Sequence, residues 1–252
     1  MKISLAGQTV LVTGGSRGIG AAMVRALGAA GATVAVHYRS QEAAAQQLAA
    51  EAGPDSAAFQ ADLADPQACA ALARAVLERY GRIDGLVNNA GIALPAADAD
   101  PLDAWLGAWH TTLNVNLIAP ALLCRELIPQ MIRQGGGRIV QVASRAAFRG
   151  DTPDYMAYAA SKGGMVALHR SIARGYGRQG IKSFLLAPGF TRTEMAQQFI
   201  DTYGEALAVQ DLALGRLTEA EDIAPAAVFF LSGLLDHATG ATLDLNAGSY
   251  VH

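Results

Sequence analysis

Thr9-Val-Leu-Val-Thr-Gly-Gly-Ser-Arg-Gly-Ile-Gly20 (TVLVTGGSRGIG) runs from an apolar, β-branched segment through clustered glycines into an alanine-rich segment. A strand that turns through glycines into a helix is the setting in which free backbone N–H groups, at the positive helix end, face phosphates. In that reading Gly14 allows the tight turn and Gly18 lets backbone approach a pyrophosphate. Gly20 permits close packing of helix on strand, and Ser16, Arg17 and Ile19 complete the loop. The spacing is G-x-x-x-G-x-G, and no G-K-[ST] follows, which excludes the ATP or GTP type of loop.

The same alternation continues outward. Apolar runs occur at Thr9–Thr13, Thr33–His37, Ala57–Gln60, Ile83–Val87, Arg138–Val142, Lys182–Leu186 and Thr242–Leu245. Helix-like stretches occupy Ile19–Ala30, Gln41–Ala52, Pro66–Tyr80, Leu102–Arg133 and Pro153–Arg178. Near-continuous apolar strands separated by helices describe a parallel sheet covered on both faces. The expected fold is α/β: a single-domain doubly wound (Rossmann-type) parallel sheet of about seven strands with helices on both faces. No linker or repeat interrupts residues 1–252, so one domain is expected. In such sheets ligands bind beyond the C-terminal strand ends, which directs attention to the loops after each run.

Composition narrows the partners. Hydrophobic residues make up 52% and charged residues 16%, and 19 Lys+Arg against 22 Asp+Glu leave a net charge of −3. With no basic run, neither nucleic acid nor a membrane surface is an expected partner. Cys69 and Cys124 lie in helix-like apolar patterns and read as buried thiols. There is no CxxC or HExxH and the five histidines are scattered, so no metal site is expected. No basic leader precedes a long apolar stretch, and no 18 apolar residues run uninterrupted. A cytoplasmic setting is the expectation.

The end of the second run, Val34-Ala-Val-His-Tyr-Arg39-Ser40, bears on cofactor choice. An acidic residue there would bond the ribose 2′-OH of NAD, and none is present. Arg39 and Arg17 could instead hold a 2′-phosphate through charge-assisted bonds. NADP(H) is therefore expected, with NAD(H) as the alternative, and Asp62-Leu63 after the third run faces the adenine.

With Asn88-Asn89-Ala90-Gly91 after the fourth run, the chain resembles the short-chain dehydrogenase/reductase family over essentially its whole length. The motifs fall in order: TGGSRGIG, Asp62-Leu63, NNAG, Asn116 in VNL, Ser144, Tyr158-x-x-x-Lys162, and Pro188-Gly189-x-x-x-Thr193. The resemblance implies that Ser144, Tyr158 and Lys162 are catalytic, with Asn116 as the fourth member anchoring water that links Lys162 to solvent. It implies that Asn89, Ala90, Gly91, Pro188, Gly189, Thr191 and Thr193 bind cofactor, with Asn89, Thr191 and Thr193 near the ribose and nicotinamide. Members similar to 3-oxoacyl carrier-protein reductases share these motifs with sugar, steroid and xenobiotic reductases. Two positions depart: Phe184 stands where the family commonly has asparagine, and Asn246-Ala-Gly248 replaces a DGG-like turn.

Residues four apart project from one helix face, so Tyr158 and Lys162 share a stripe, whereas Tyr155 lies nearly two turns from Lys162. A phenol titrates near pH 10, and an adjacent ammonium favours the phenolate. Lowering it by about three units needs roughly 4 kcal/mol, which is the task this reading gives Lys162. Ser144 would donate to the substrate oxygen. Asn116 is a polar residue within an apolar stripe of Leu113, Leu117, Ala121, Cys124 and Ile128.

Phe190 to Arg216, with Met195, Phe199, Ile200 and Tyr203, reads as a lid over the nicotinamide. Leu94, Arg145, Phe148, Arg149 and Tyr155 could reach the same cleft. The mixture points to a medium-sized carbonyl or alcohol, with room for an anionic end. Met165, Leu168, Ile172 and Tyr176 form an apolar stripe that implies a homo-oligomer, a homotetramer or homodimer. A redox-sensing regulator that binds NADP(H) with weak catalysis is the rival; it would keep the glycine loop and lose the tyrosine or lysine.

Overall fold

The computed structural model describes residues 3–194, 197, 200, 201 and 204–251. The apolar runs become seven strands: β1 (Thr9–Val12), β2 (Thr33–Tyr38), β3 (Ala57–Gln60), β4 (Gly85–Asn88), β5 (Gly137–Val142), β6 (Ile181–Pro188) and β7 (Thr242–Leu245). They pair in the order β3-β2-β1-β4-β5-β6-β7, every pair parallel. Helices α1 (Gly18–Ala29), α2 (Glu42–Ala52) and α3 (Pro66–Tyr80) follow the first three strands. Then come α4 (Leu102–Leu113), α5 (Ala119–Arg133), the short α6 (Ala146–Arg149) and α7 (Met156–Tyr176). After β6 lie α8 (Glu205–Val209) and α9 (Ala220–Leu231). Local chemistry sets the ends. Asp65 caps α3 by accepting from the Gln67 N–H at 2.8 Å, Pro66 opens it, and Gly81 stops it at φ 69°.

Two apolar layers sandwich the sheet. Val10, Val12, Val34 and Val36 face α1, α2 and α9, whereas Leu11, Leu86 and Ile139 face α3, α5 and α7. Phe184, the departure on β6, is fully buried and stacks on Phe230 of α9 with centroids 4.5 Å apart. That aromatic pair fills the layer where a polar side chain would need a partner.

The expected long helix over Leu102–Arg133 forms, with a π-turn inside it. Between α4 and α5 the chain takes a π-helical turn, Asn114–Ile118. The extra residue rotates the helix face: of the expected stripe Cys124 and Ile128 are buried, whereas Leu113, Leu117 and Ala121 are only partly so, and Val115, Ala119, Leu123 and Leu127 fill the core beside them. The whole stretch is long and apolar enough to cross a bilayer by composition alone, yet half of its apolar window is covered by its own fold. Met165 and Ile172 are likewise buried in this chain's core and do not form an open stripe; only Tyr176 is exposed.

β1 lies between β2 and β4, so the chain leaves these neighbouring strands towards opposite faces. The crevice at that switch lies among the loops after β1, β4, β5 and β6.

Candidate active site

The loop after β1 is shaped by glycines at three close approaches. Gly14 has φ 62°, and a Cβ there would lie 3.0 Å from the Ala90 backbone. A Cβ on Gly20 would sit 2.1 Å from the Gly14 carbonyl oxygen and 2.6 Å from Asn89 Nδ2. Gly20 therefore lets the loop fold back on its own helix. The helix-to-strand packing expected of it belongs to Gly15, whose Cβ would fall 2.8 Å from Val36 of β2 and 3.2 Å from Val24 of α1. Gly18, at φ 52°, faces Thr193. Arg17 caps α1 with no side-chain bond, so first-turn N–H groups stay available as donors for an anion. Ser16 and Ile19 keep partial exposure beside them.

Asn89, expected near the ribose, is tied to the glycine loop. Its amide donates to the carbonyls of Thr13 (2.9 Å) and Gly14 (3.1 Å), while Thr13 Oγ1 accepts from the N–H groups of Asn89 and Ala90, each at 3.0 Å. The loop after β4 is thus laced to the glycine loop. His37, which sequence reasoning passed over as a scattered histidine, does the same from β2. Its Nδ1 accepts from the Gly14 N–H at 2.9 Å and its Nε2 donates to the Ala61 carbonyl at 3.1 Å. Burial lowers its pKa to about 4, so the ring is neutral near pH 7. A histidine inside an otherwise apolar strand was the available signal.

Beyond β2, Arg39 and Ser40 are exposed, and among the described residues the Arg39 guanidinium has no ion-pair partner. Arg17, expected to act with it, pairs with Glu194. Asp62 is exposed and accepts from the Ala64 N–H at 2.9 Å, whereas the Leu63 side chain is buried in the core.

The four residues expected to be catalytic converge near the ends of β4 and β5. Lys162 is 3% exposed and donates to the Val142 carbonyl at 2.8 Å, with its Nζ 5.8 Å from the Tyr158 ring centroid. Gly91 makes room for it: a Cβ there would lie 3.2 Å from Nζ. Tyr158 keeps part of its surface exposed, and the Ser144 side chain acts on its hydroxyl in the direction that favours the phenolate. Ser144 in turn accepts from the Ala146 N–H at 3.1 Å, which fixes it at the start of α6. Tyr155 ends a 3-10 turn, Pro153–Tyr155, just before α7, as its spacing implied.

The expected lowering of Tyr158 by Lys162 is not what this arrangement gives. Burial pushes the phenol up, and the counteracting bond comes from Ser144. Burial also lowers the Lys162 ammonium, to about 8. Dense protein drives both groups towards neutral forms.

Asn116 is fully buried, and its side chain is committed. Oδ1 accepts from the Ile92 N–H at 2.9 Å, and Nδ2 donates to the Ile92 carbonyl (2.8 Å) and Ser161 Oγ (3.0 Å). Ser161 donates onward to the Tyr158 carbonyl at 2.7 Å. The π-turn aims Asn116 so that it ties the loop after β4 to α7. Ser161 was not singled out in the sequence because a helical serine carries no local signal.

The fourth side of the crevice follows β6. The Pro188 carbonyl accepts from the Arg145 N–H at 2.9 Å. A Cβ on Gly189 would strike Asn246 Cα at 2.7 Å, so Gly189 lets β6 cross the turn after β7, where Ala247 holds φ 53°. Thr191 is buried and donates to the Gly189 carbonyl at 3.1 Å, and Thr193 donates to the Thr191 carbonyl at 3.3 Å. Ile200, Leu212 and Leu217 form a small cluster with Phe190 and Ala247; Met195, Phe199 and Tyr203 lie outside the described residues.

A doubly wound sheet whose switch point carries a phosphate-type glycine loop beside a serine, tyrosine and lysine defines an oxidoreductase of the nucleotide-binding α/β class. The chain belongs to the short-chain dehydrogenase/reductase family. A family model described as enoyl-(acyl carrier protein) reductase matches residues 14–249. The chain is 37% identical over 248 residues to D-threitol dehydrogenase of Mycolicibacterium smegmatis, covering 97% of this chain and 93% of that protein. It is 33% identical over 247 residues to the 3-oxoacyl-[acyl-carrier-protein] reductase of Staphylococcus aureus, covering 97% and 98%. A crystal structure of a gluconate 5-dehydrogenase, named as putative and NAD(P) dependent, from Beutenbergia cavernae with bound NADP superposes with TM-score 0.90, at 35% identity and 99% coverage of both chains. The chain is an enzyme of this family, a dehydrogenase or reductase of alcohol and carbonyl substrates.

Proposed function

We propose that the enzyme transfers a hydride between NADP(H) and a carbonyl or secondary alcohol, with Tyr158 as the acid/base. The observation that carries this is buried Lys162 with its Nζ 5.8 Å from the Tyr158 ring centroid, where the Ser144 side chain also acts on the phenol. Support for the cofactor comes from Arg39 where an acid would favour NAD, from the available N–H groups of α1, and from the NADP bound in the similar structure. Gly14, Ser16, Arg17, Gly18, Ile19 and Gly20 would hold the pyrophosphate, and Arg39 and Ser40 the 2′-phosphate. Lys162, Tyr158 and the Thr191–Thr193 segment would meet the nicotinamide ribose. When bound, the nicotinamide supplies or accepts the hydride.

In reduction, Ser144 orients the substrate oxygen and Tyr158 gives it a proton as hydride reaches the carbonyl carbon. Burial keeps Tyr158 protonated before reduction begins, so the proton is in place when the substrate binds. In oxidation the same oxygen takes the proton back, and the charge of Lys162 stabilises the phenolate. Asn116 and Ser161 hold α7 and the loop after β4 in register for this transfer. The segment 190–216 acts as the lid. Exposed Ile118, Met156 and Tyr176 support assembly as a homotetramer or homodimer in the cytoplasm.

Purified protein, NADPH or NADH and a panel of ketones, followed at 340 nm, test the reading. Tyr158→Phe is expected to lose about 10²- to 10⁴-fold in kcat/KM. Arg39→Asp is expected to shift preference towards NADH. Turnover that survives Tyr158→Phe removes the proposed acid.

A further inference from the structure

Next to Ser144, Arg145 has no visible reason to be where it is. Its backbone is pinned on two sides, the N–H donating to the Pro188 carbonyl at 2.9 Å and the carbonyl accepting from Phe148 (3.0 Å) and Arg149 (3.1 Å). The side chain is half-buried, and Nη1 is buried with no hydrogen-bond partner among the described residues. Nor does its guanidinium make an ion pair among them. The nearest acids, Asp151 and Asp211, are exposed and act only at a distance, and Arg149 adds a like charge.

A buried guanidinium donor without an acceptor is unfavourable, because the lost hydration is replaced by nothing. Such a group one residue from Ser144, on a side chain that is only half-buried, suits a ligand that brings the acceptor with it. Among ligands, a planar carboxylate matches the guanidinium fork best. We propose that Arg145 is a specificity residue which receives the carboxylate of an oxo-acid or hydroxy-acid substrate, holding it while Ser144 and Tyr158 address the carbonyl. This rests on the reading that Ser144 and Tyr158 form the reacting site. It narrows the substrate class from carbonyls in general to those with an acid group near the reacting carbon.

Oxo acids of increasing chain length, each compared with its methyl ester, test the idea with NADPH at 340 nm. At one chain length the acid is expected to exceed its ester at least tenfold in kcat/KM, chiefly through KM. Arg145→Met is expected to abolish that ratio, and Arg145→Lys to restore part of it. A second readout needs no turnover: saturated carboxylates of the preferred length should raise the Tm of the wild type and not of Arg145→Met. Arg145→Met itself should match or exceed the wild type in Tm without ligand, since it removes an unpartnered buried donor. Esters reduced as well as acids, with no carboxylate-dependent Tm shift, overturn the assignment of Arg145 while leaving the reductase reading intact. A carboxylate shift that depends on Arg145, without turnover of acid or ester, upholds the anion site and overturns the proposed reaction.

Discussion

Acidification should weaken this fold through a buried ring, His37. Its Nδ1 accepts from the Gly14 N–H, so the ring can carry its proton only on Nε2, where it donates to Ala61. A second proton would point an N–H at an N–H and charge a ring that is 2% exposed. The folded-state pKa is about 4 against an ordinary value of 6.5. Because the folded value is the lower one, the unfolded chain binds the proton first. The resulting stability is fully present above about pH 6.5 and is lost as the pH falls towards 4. A shift of 2.5 units at 1.36 kcal/mol each is roughly 3.4 kcal/mol in all, of which about 1.8 kcal/mol disappears between pH 7 and pH 5. For a domain of this size that is a Tm drop of about 4–7 °C. Urea denaturation of the wild type and His37→Asn at both pH values, at one protein concentration, isolates the ring from other titrating groups. The substituted amide keeps an acceptor for the Gly14 N–H, so the variant should fold, and its stability should change less across the interval by about 2 kcal/mol. Equal pH dependence in both proteins would refute the role given to His37.

Two further outcomes follow from burial and close approach. Gly20→Ala places a Cβ against the Gly14 carbonyl oxygen, a backbone atom that cannot step aside, so it should cost about 3 kcal/mol or more in urea denaturation and raise KM for NADPH. Lys162→Met should lower kcat at least about 100-fold while keeping or raising stability at pH 7, because a Lys162 pKa of about 8 against 10.5 means roughly 3.4 kcal/mol is spent keeping the amine charged, partly offset by its bond to Val142. That pKa is also lowered on folding, so the penalty is present below pH 8 and relieved above 10.5; wild-type stability should rise across that window and the variant's should not.

The strands were legible because a sheet buried on both faces leaves long apolar runs between alanine-rich helices, and the observed strands lie within a few residues of those runs. The Tyr158–Lys162 stripe was legible for a similar reason: helix geometry is local, and four residues bring two side chains to one face. What stayed hidden depends on residues distant in sequence. The π-turn at Asn114–Ile118 has no compositional mark, and it redirects Asn116 into Ile92 and Ser161. The exchange of roles between Gly15 and Gly20 requires knowing that Val36 approaches from β2 and Asn89 from the loop after β4.

The pKa of the tyrosine exposes the same divide in chemical terms. Spacing places an amine near a phenol, and charge alone then predicts an easier phenolate. Burial opposes that effect and cannot be read from spacing, because the elements that enclose Tyr158 and Lys162 come from β4, β5 and the π-turn. Here the ammonium bonds a backbone carbonyl, and the Ser144 side chain opposes, without outweighing, the effect of burial on the phenol. A site built this way holds the tyrosine in its protonated form. Its pH–rate profile should therefore stay flat for reduction across neutrality while oxidation rises with pH, since only the latter must first empty the phenol of its proton.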